Sequence, residues 1–429
     1  MKNSAQHRSW TLDVNWSATA MLAIVIVFAL ATVVTQSAQA QTFQVLHSFT
    51  GGRDGAGPLD GVTLDRNGNL YGTASAGGNQ VYGCGNGWGQ TGCGAVFELA
   101  RSGSGWILRP LYDFQGGADY GNPGLGVVFG PDGALYGSTG SGGNCDYYTC
   151  GGTFRLRPPP TSCASFVCNW QETVLHQFTG QPDGSYPASR VLFDTSGNLY
   201  GTTFFGGLYN EGTVYELSPG SGGWAESVIY SFNPNLGLGV SLPGGPIVLD
   251  QAGNLYGTGF CNEIDGCYGA AWQLQPSQSS WSLNLIFEFN GSDGYEPVGV
   301  VSDPSGNLYG FTDGGTGNSS ATAYELTPSN GGWTYHLVYN LGSEANLSGP
   351  AMDSAGNLYG SNIIYGYGTV FKLTRSGNTW TYSTLYTFSG GADGEFPVGA
   401  MVVDSNGNLY GTTIKGGTYG YGVIWKITP

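Results

Sequence analysis

Downstream of residue 40 the chain keeps three histidines, His47, His176 and His336, and so small a number limits the chemistry on offer. A nucleophile–histidine–acid triad or a histidine-rich metal site needs an imidazole among unlike partners. His47 and His176 instead share one slot of a repeated segment, where its sisters carry Tyr230, Phe287, Tyr339 and Tyr386; His336 falls in the same kind of segment. They read as aromatic stand-ins, not as bases or ligands. Carboxylates are the next candidates for acid–base work. Asp54, Asp119, Asp183, Asp293 and Asp393 recur in the related phrases GGRDG, GGADY, QPDG, GSDG and GGADG. A set so regular reads as loop caps, because Asp readily accepts backbone hydrogen bonds in tight turns. Asp65, Asp194, Asp250, Asp303, Asp353 and Asp404 each precede another repeated turn. Calcium needs several oxygen ligands converging, which one Asp per repeat does not supply. No catalytic residue, metal site or cofactor is therefore expected.

The residues that vary from repeat to repeat are aromatic. Tyr82 and Trp88, Tyr147 and Tyr148, Phe204, Phe205 and Tyr209, Tyr365 and Tyr367, and Tyr419 and Tyr421 lie in irregular, glycine-rich stretches, and Glu263 and Asp265 occupy the equivalent stretch of another repeat. Variable loops on a rigid scaffold are where binding residues gather. Flat apolar rings rimmed by Asp, Asn and Gly suit sugar rings or a protein surface. The alternative is that these side chains only plug their own loops.

The elements that must position these loops come from seven copies of one phrase. DRNGNLYG begins at Asp65, GPDGALYG at Gly130, DTSGNLYG at Asp194, DQAGNLYG at Asp250, DPSGNLYG at Asp303, DSAGNLYG at Asp353 and DSNGNLYG at Asp404. The glycines at 68, 133, 197, 253, 306, 356 and 407 are 65, 64, 56, 53, 50 and 51 residues apart. Such periods mark a solenoid, a propeller or an array. Each copy carries four strand-like pieces, as in Gly399–Asp404, Asn408–Thr413 and Gly422–Ile427 of the seventh copy and Trp380–Phe388 of the sixth. In the last of these, Trp380, Tyr382, Thr384, Tyr386 and Phe388 share a face at period two. Asn-Gly between the first two pieces is a hairpin signal. Four antiparallel strands repeated seven times predict an all-β, seven-bladed propeller over residues 41–429. Its final copy lacks a fourth strand, and Phe43–Phe49 supplies a surplus one, so the two are expected to close the ring together. On that plan the variable stretches join second to third strands and emerge on the same face as the blade-to-blade loops.

The remaining features bear on compartment and partners. Lys2 and Arg8, an apolar run from Met21 to Val34 and Ala38-Gln-Ala40 make residues 1–40 a signal peptide, with an uncleaved anchor as the alternative. The expected location is secreted or cell-envelope, with no membrane contact after cleavage. All eight cysteines fall after this segment, as the close pairs Cys84/Cys93, Cys145/Cys150, Cys163/Cys168 and Cys261/Cys267. Even, local spacing in an exported chain reads as four disulfides, and the spacings suit zinc poorly. With 13 basic and 29 acidic residues the net charge is −16, which excludes a phosphate-backbone binder. An extracellular glycan or protein is the expected partner of a monomeric chain.

The run D-x-x-G-N-L-Y-G-T, followed by G-G and then G-T-V-[FY]-[EK]-L-[TS]-P, resembles the GloVer tandem-repeat proteins of bacteria. The likeness spans residues 43–429. It implies an exported repeat protein and transfers no catalytic residues. The family's C-terminal anchoring segments have no counterpart before Pro429. The same phrase also looks like the blade motif of propeller lactonases and streptogramin-lyase-like enzymes, so an exported lyase or lactonase-like hydrolase is the alternative to a non-catalytic binder. A turn motif carries fold, not activity.

Overall fold

The phrase D-x-x-G-N-L-Y is a hydrogen-bonded unit. Asp404 Oδ1 accepts the amides of Asn406 and Asn408, both at 2.9 Å. Its Oδ2 accepts Asn408 Nδ2 at 2.7 Å and the Tyr410 hydroxyl at 3.1 Å. Gly407 closes the turn at φ 80°, a left-handed conformation that costs glycine nothing. Asp194, Asp250, Asp303 and Asp353 each hold the corresponding Asn and Tyr in the same way. These aspartates are structural, as their regularity implies.

In the computed structural model, residues 41–79, 84–140, 150–159, 170–236, 240–260, 267–278, 280–314, 320–342, 345–364 and 366–429 are described. Thr42–Thr428 forms one unit of seven antiparallel sheets in a ring, a seven-bladed β-propeller. Blades are numbered here by their D-x-x-G copy, and strands run from the axis outward. Blade four is typical, with Ser241–Leu249 innermost, then Leu255–Phe260, Ala270–Pro276 and Trp281–Glu288. Blade seven joins Glu395–Val403, Leu409–Lys415 and Val423–Thr428 to the N-terminal strand Thr42–Ser48. Thr42 faces Thr428 and Ser48 faces Val423 in that closing pair. The ends are thus joined as the strand count requires, and among the described residues no blade presents an unpaired third strand.

Aromatic side chains fill the wedges between blades. Five second-strand tyrosines send their rings edge-on to the outer-strand Trp of the next blade: Tyr136 to Trp224, Tyr200 to Trp281, Tyr256 to Trp333, Tyr309 to Trp380 and Tyr410 to Trp106, with centroids 5.8–6.5 Å apart. Buried third-strand rings such as Trp272, Tyr324 and Trp425 form the core within and between sheets. The repeated tyrosines are packing residues with a hydrogen-bonded tip, which suits an amphipathic ring.

The histidines also take the place assigned from sequence. His47 and His176 lie on outer strands and bond Asp54 and Asp183 through Nε2 at 3.0 Å. Tyr112 and Tyr386 make the equivalent bonds to Asp119 and Asp393. Backbone amides of Thr50, Gln115, Thr179, Asn290 and Ser389 cap Asp54, Asp119, Asp183, Asp293 and Asp393. Burial would raise the Asp54 and Asp183 carboxyls, but the His and Thr hydrogen bonds outweigh it and hold both below the usual range.

Cys84 and Cys93 form a disulfide. Cys150 and Cys267 are disulfide-bonded as well. Cys145, Cys163, Cys168 and Cys261 lie outside the described residues, as do residues 1–40.

Candidate functional site at the loop face

A backbone device repeated around the ring sets the geometry of the face where second-to-third-strand loops emerge. The residue before the third-strand glycine accepts a hydrogen bond from the next blade. Tyr421, Cys93, Cys150, Glu211, Tyr268 and Tyr367 accept from the amides of Gly57, Asn122, Tyr186, Leu242, Glu296 and Phe396 at 2.7–3.0 Å. All six donors have left-handed φ of 44–60°, and a proline follows each one. That proline packs on the third-strand glycine of the preceding blade. A Cβ on Gly368 would lie 2.3 Å from Pro397 Cδ.

The seam between blades five and six is built differently. Leu347 stands where the other blades place this proline, as its pairing with Asn362 shows beside that of Pro397 with Thr413. Unlike proline, Leu347 has an amide to satisfy, and Asp313 Oδ1 accepts it at 2.6 Å. Burial, reinforced by nearby Glu296, pushes the Asp313 carboxyl up to about 7. It therefore holds a proton at pH values where ordinary carboxylates have lost theirs.

Toward the axis the inner strands lose register, as between Gly244 and Val248 or Val398 and Val402, and small residues approach one another there. Two charged side chains break this pattern. Arg190 of blade three donates from Nε to Asp60 Oδ2 of blade one at 2.9 Å. Asp60 Oδ1 accepts the amides of Gly61 and Ala400 at 2.8 and 2.9 Å, tying in blade seven. The pair passes over Gly126 of blade two, where a Cβ would sit 2.7 Å from Asp60 Oδ2. It neutralises itself and bridges three blades.

The loop face is unequal around the ring. On the side of blades three and four, Phe204 meets Phe205 at 4.9 Å and Phe260 at 6.0 Å, and Tyr186 lies 6.5 Å from Phe205. Tyr186, Phe205, Leu208 and Tyr209 are exposed there. On the side of blades seven and one, Trp88 packs 5.7 Å from Phe396 under the Lys415 ammonium. Asn86 and Gln90 bond one another and anchor this loop to Ser75 and to the Ile414 carbonyl.

Of the ligand-facing residues expected from sequence, Trp88, Phe204, Tyr209, Tyr367, Tyr419 and Tyr421 are placed on this face. Tyr82, Tyr147, Tyr148, Glu263, Asp265 and Tyr365 lie outside the described residues. Tyr367 and Tyr421 also have packing work: their rings cover Gly390 and Gly51, leaving no room for a side chain there. Sequence reasoning missed the pre-proline residues, Asp313 and the Arg190–Asp60 pair. The signal was available column by column. Asn122, Tyr186, Leu242, Glu296 and Phe396 precede equivalent prolines yet share no chemistry, and Arg190 stands where Gly61, Gly126 and Gly299 stand.

Fold and face together define an all-β repeat propeller with a conserved-geometry rim and dissimilar loops. The family model of the Gloeobacter/Verrucomicrobia repeat matches residues 166–363. No curated protein matches the sequence. Among solved structures, a catalytically inactive histidine-to-alanine variant of virginiamycin B lyase from Staphylococcus aureus, with quinupristin, superposes with TM-score 0.56 at 14% identity, covering 91% of this chain and 99% of that one. A periplasmic gluconolactonase from Pseudomonas aeruginosa gives TM-score 0.50 at 14% identity, covering 78% of this chain and 92% of that one. At such identity the likeness shows the fold alone.

Proposed function

We propose that this chain is an exported, non-catalytic propeller that binds an extracellular glycan through its loop face, with a protein partner as the next class. The observation that carries this reading is a one-sided distribution of exposed rings. Among the described residues, nine of the twelve exposed large apolar side chains lie on the loop face: Trp88, Tyr186, Phe205, Leu208, Tyr209, Ile364, Tyr367, Tyr419 and Tyr421. Exposed apolar area gathered on one face marks a binding surface, and tyrosine and tryptophan rings stack on the apolar faces of sugars. The net charge of −16 disfavours anionic ligands. Export is supported by the disulfide, by the repeat family and by the signal-like residues 1–40.

A glycan array probed with the purified chain tests the reading. Binding is expected, with the bound glycan recovered intact by chromatography after prolonged incubation. An array without a hit on any glycan overturns it.

A second reading, a lyase or lactonase-like hydrolase, is favoured by one observation: Asp313 beside Glu296 could exchange a proton near neutral pH. Against it, the histidine altered in the lyase variant has no placed counterpart on this face, since His47, His176 and His336 all lie on outer strands. Consumption of the array ligand by the parent chain, lost in Asp313→Asn, would establish this second reading.

A further inference from the structure

Tyr186, Glu296 and Phe396 sit at equivalent places in blades three, five and seven, with φ of 57, 50 and 60°. Left-handed backbone is strained for any residue with a Cβ, and for bulky residues most of all. Blade one shows how the strain can be avoided. Gly57 occupies the same place at φ 56° and donates the same inter-blade hydrogen bond, to Tyr421 at 2.9 Å. Glycine therefore does the backbone's work, and five blades carry a side chain there at a cost, three of them with Tyr186, Glu296 and Phe396. Strain of this kind persists where a function holds it.

The three side chains are chemically unlike, and none is spent wholly on the core. Tyr186 is 40% exposed, while Glu296 and Phe396 are half-buried. Among the described residues no ion pair reaches Glu296. Leu242 and Asn122, at the same place in two other blades, differ: Leu242 is buried, and Asn122 donates from Nδ2 to the Gly85 carbonyl at 2.8 Å.

Resting on the glycan-binding reading above, we infer that Tyr186, Glu296 and Phe396 are the specificity-determining residues of the loop face, and that they select a neutral oligosaccharide. Tyr186 and Phe396 offer ring faces from different blades. Glu296 accepts hydrogen bonds from sugar hydroxyls and repels a uronate carboxylate. A neutral chain satisfies both requirements, and an acidic one fails the second.

The test titrates the full chain calorimetrically with cellohexaose, xylohexaose and hexagalacturonate, beside Tyr186→Gly, Glu296→Gly, Phe396→Gly and Glu296→Gln. The parent is expected to bind at least one neutral hexamer and to ignore hexagalacturonate. Each glycine variant should melt no lower than the parent, because strain is relieved, yet bind the neutral hexamer at least tenfold more weakly. Glu296→Gln should narrow the gap between neutral and acidic hexamers. Glycine variants that bind like the parent overturn this inference and leave the glycan-binding reading standing. Glycine variants that melt well below the parent assign the side chains to the scaffold and overturn it equally. A parent that prefers hexagalacturonate, or binds no neutral hexamer, overturns the stated ligand class, and the array result then decides the broader reading separately.

Discussion

The two ends of the propeller use the same repeat in opposite ways. At the turn face, one Asp, one Asn and one Tyr close the same hydrogen-bonded unit in blade after blade, and the side chains are consumed by the fold. At the loop face the recurring bond is made by backbone alone, from a pre-proline amide to the carbonyl before a glycine. The side chain at the pre-proline position takes no part in that bond. A bond made by backbone atoms sets no residue type at its donor, and Asn122, Tyr186, Leu242, Glu296 and Phe396 differ accordingly.

The shared inter-blade seam should give the largest effect when broken. Gly368→Ala sets a Cβ 2.3 Å from Pro397 Cδ at a φ of 102°. Left-handed strain and overpacking together should cost about 3 kcal/mol, read as a lower denaturation midpoint. An unchanged midpoint would mean that the glycine–proline contact does not fix the rim.

A turn-face side chain comes next. Asp404→Ala deprives Asn406, Asn408 and Tyr410 of their acceptor. The loss should be about 1–2 kcal/mol, since the buried Asn408 and Tyr410 lose an acceptor while the exposed Asn406 can turn to water.

Titration separates Asp313 from the turn-face aspartates by sign. Burial opposes ionisation of Asp250, Asp353 and Asp404, but hydrogen bonds from Asn, Tyr and backbone amides prevail and hold their carboxyls below 3.8. Their stabilisation is present above the unfolded value and is lost as pH falls through the folded one. Asp313 is shifted the other way, from 3.8 to about 7, so its contribution is full below 3.8 and is lost as pH rises toward 7. Asp313→Asn keeps a carbonyl for the Leu347 amide and removes the titration. Between pH 4 and 7 the variant's stability should rise relative to the parent's, by urea midpoints measured across that window. Parallel profiles would remove the assigned role of Asp313.

The smallest stability effect should come from the exposed loop aromatics. Phe205→Ala and Tyr209→Ala should each change stability by about 0.5 kcal/mol or less, as for other surface positions. Tyr367→Ala and Tyr421→Ala should cost more than these, because each uncovers a glycine of its own blade's loop.

This ordering follows what was legible in the sequence. Residues such as Asp404, Asn408 and Tyr410 recur because the fold uses them, and recurrence is what a single sequence displays best. The strand count and the surplus Phe43–Phe49 segment disclosed the ring closure for the same reason. Tyr186, Glu296 and Phe396 share a backbone conformation and a following proline but no residue type, so no residue motif announces them. Asp313 answers a proline missing 34 residues away, at Leu347, and only the fold brings the two together. Arg190 and Asp60 are 130 residues apart and meet only across the inner strands.

The central claim is that the loop face, and not the rest of the surface, holds the ligand. Its most direct test is calorimetric titration of the strongest array glycan against the parent, the loop-face double variant Phe205→Ala/Tyr209→Ala, and the off-face double variant Ile107→Ala/Leu337→Ala, whose native side chains are at least as exposed but lie on outer strands. The loop-face variant should bind at least about tenfold more weakly, a loss of roughly 1.4 kcal/mol, while the off-face variant binds as the parent does. Equal binding by all three, or a loss confined to the off-face variant, would contradict the account.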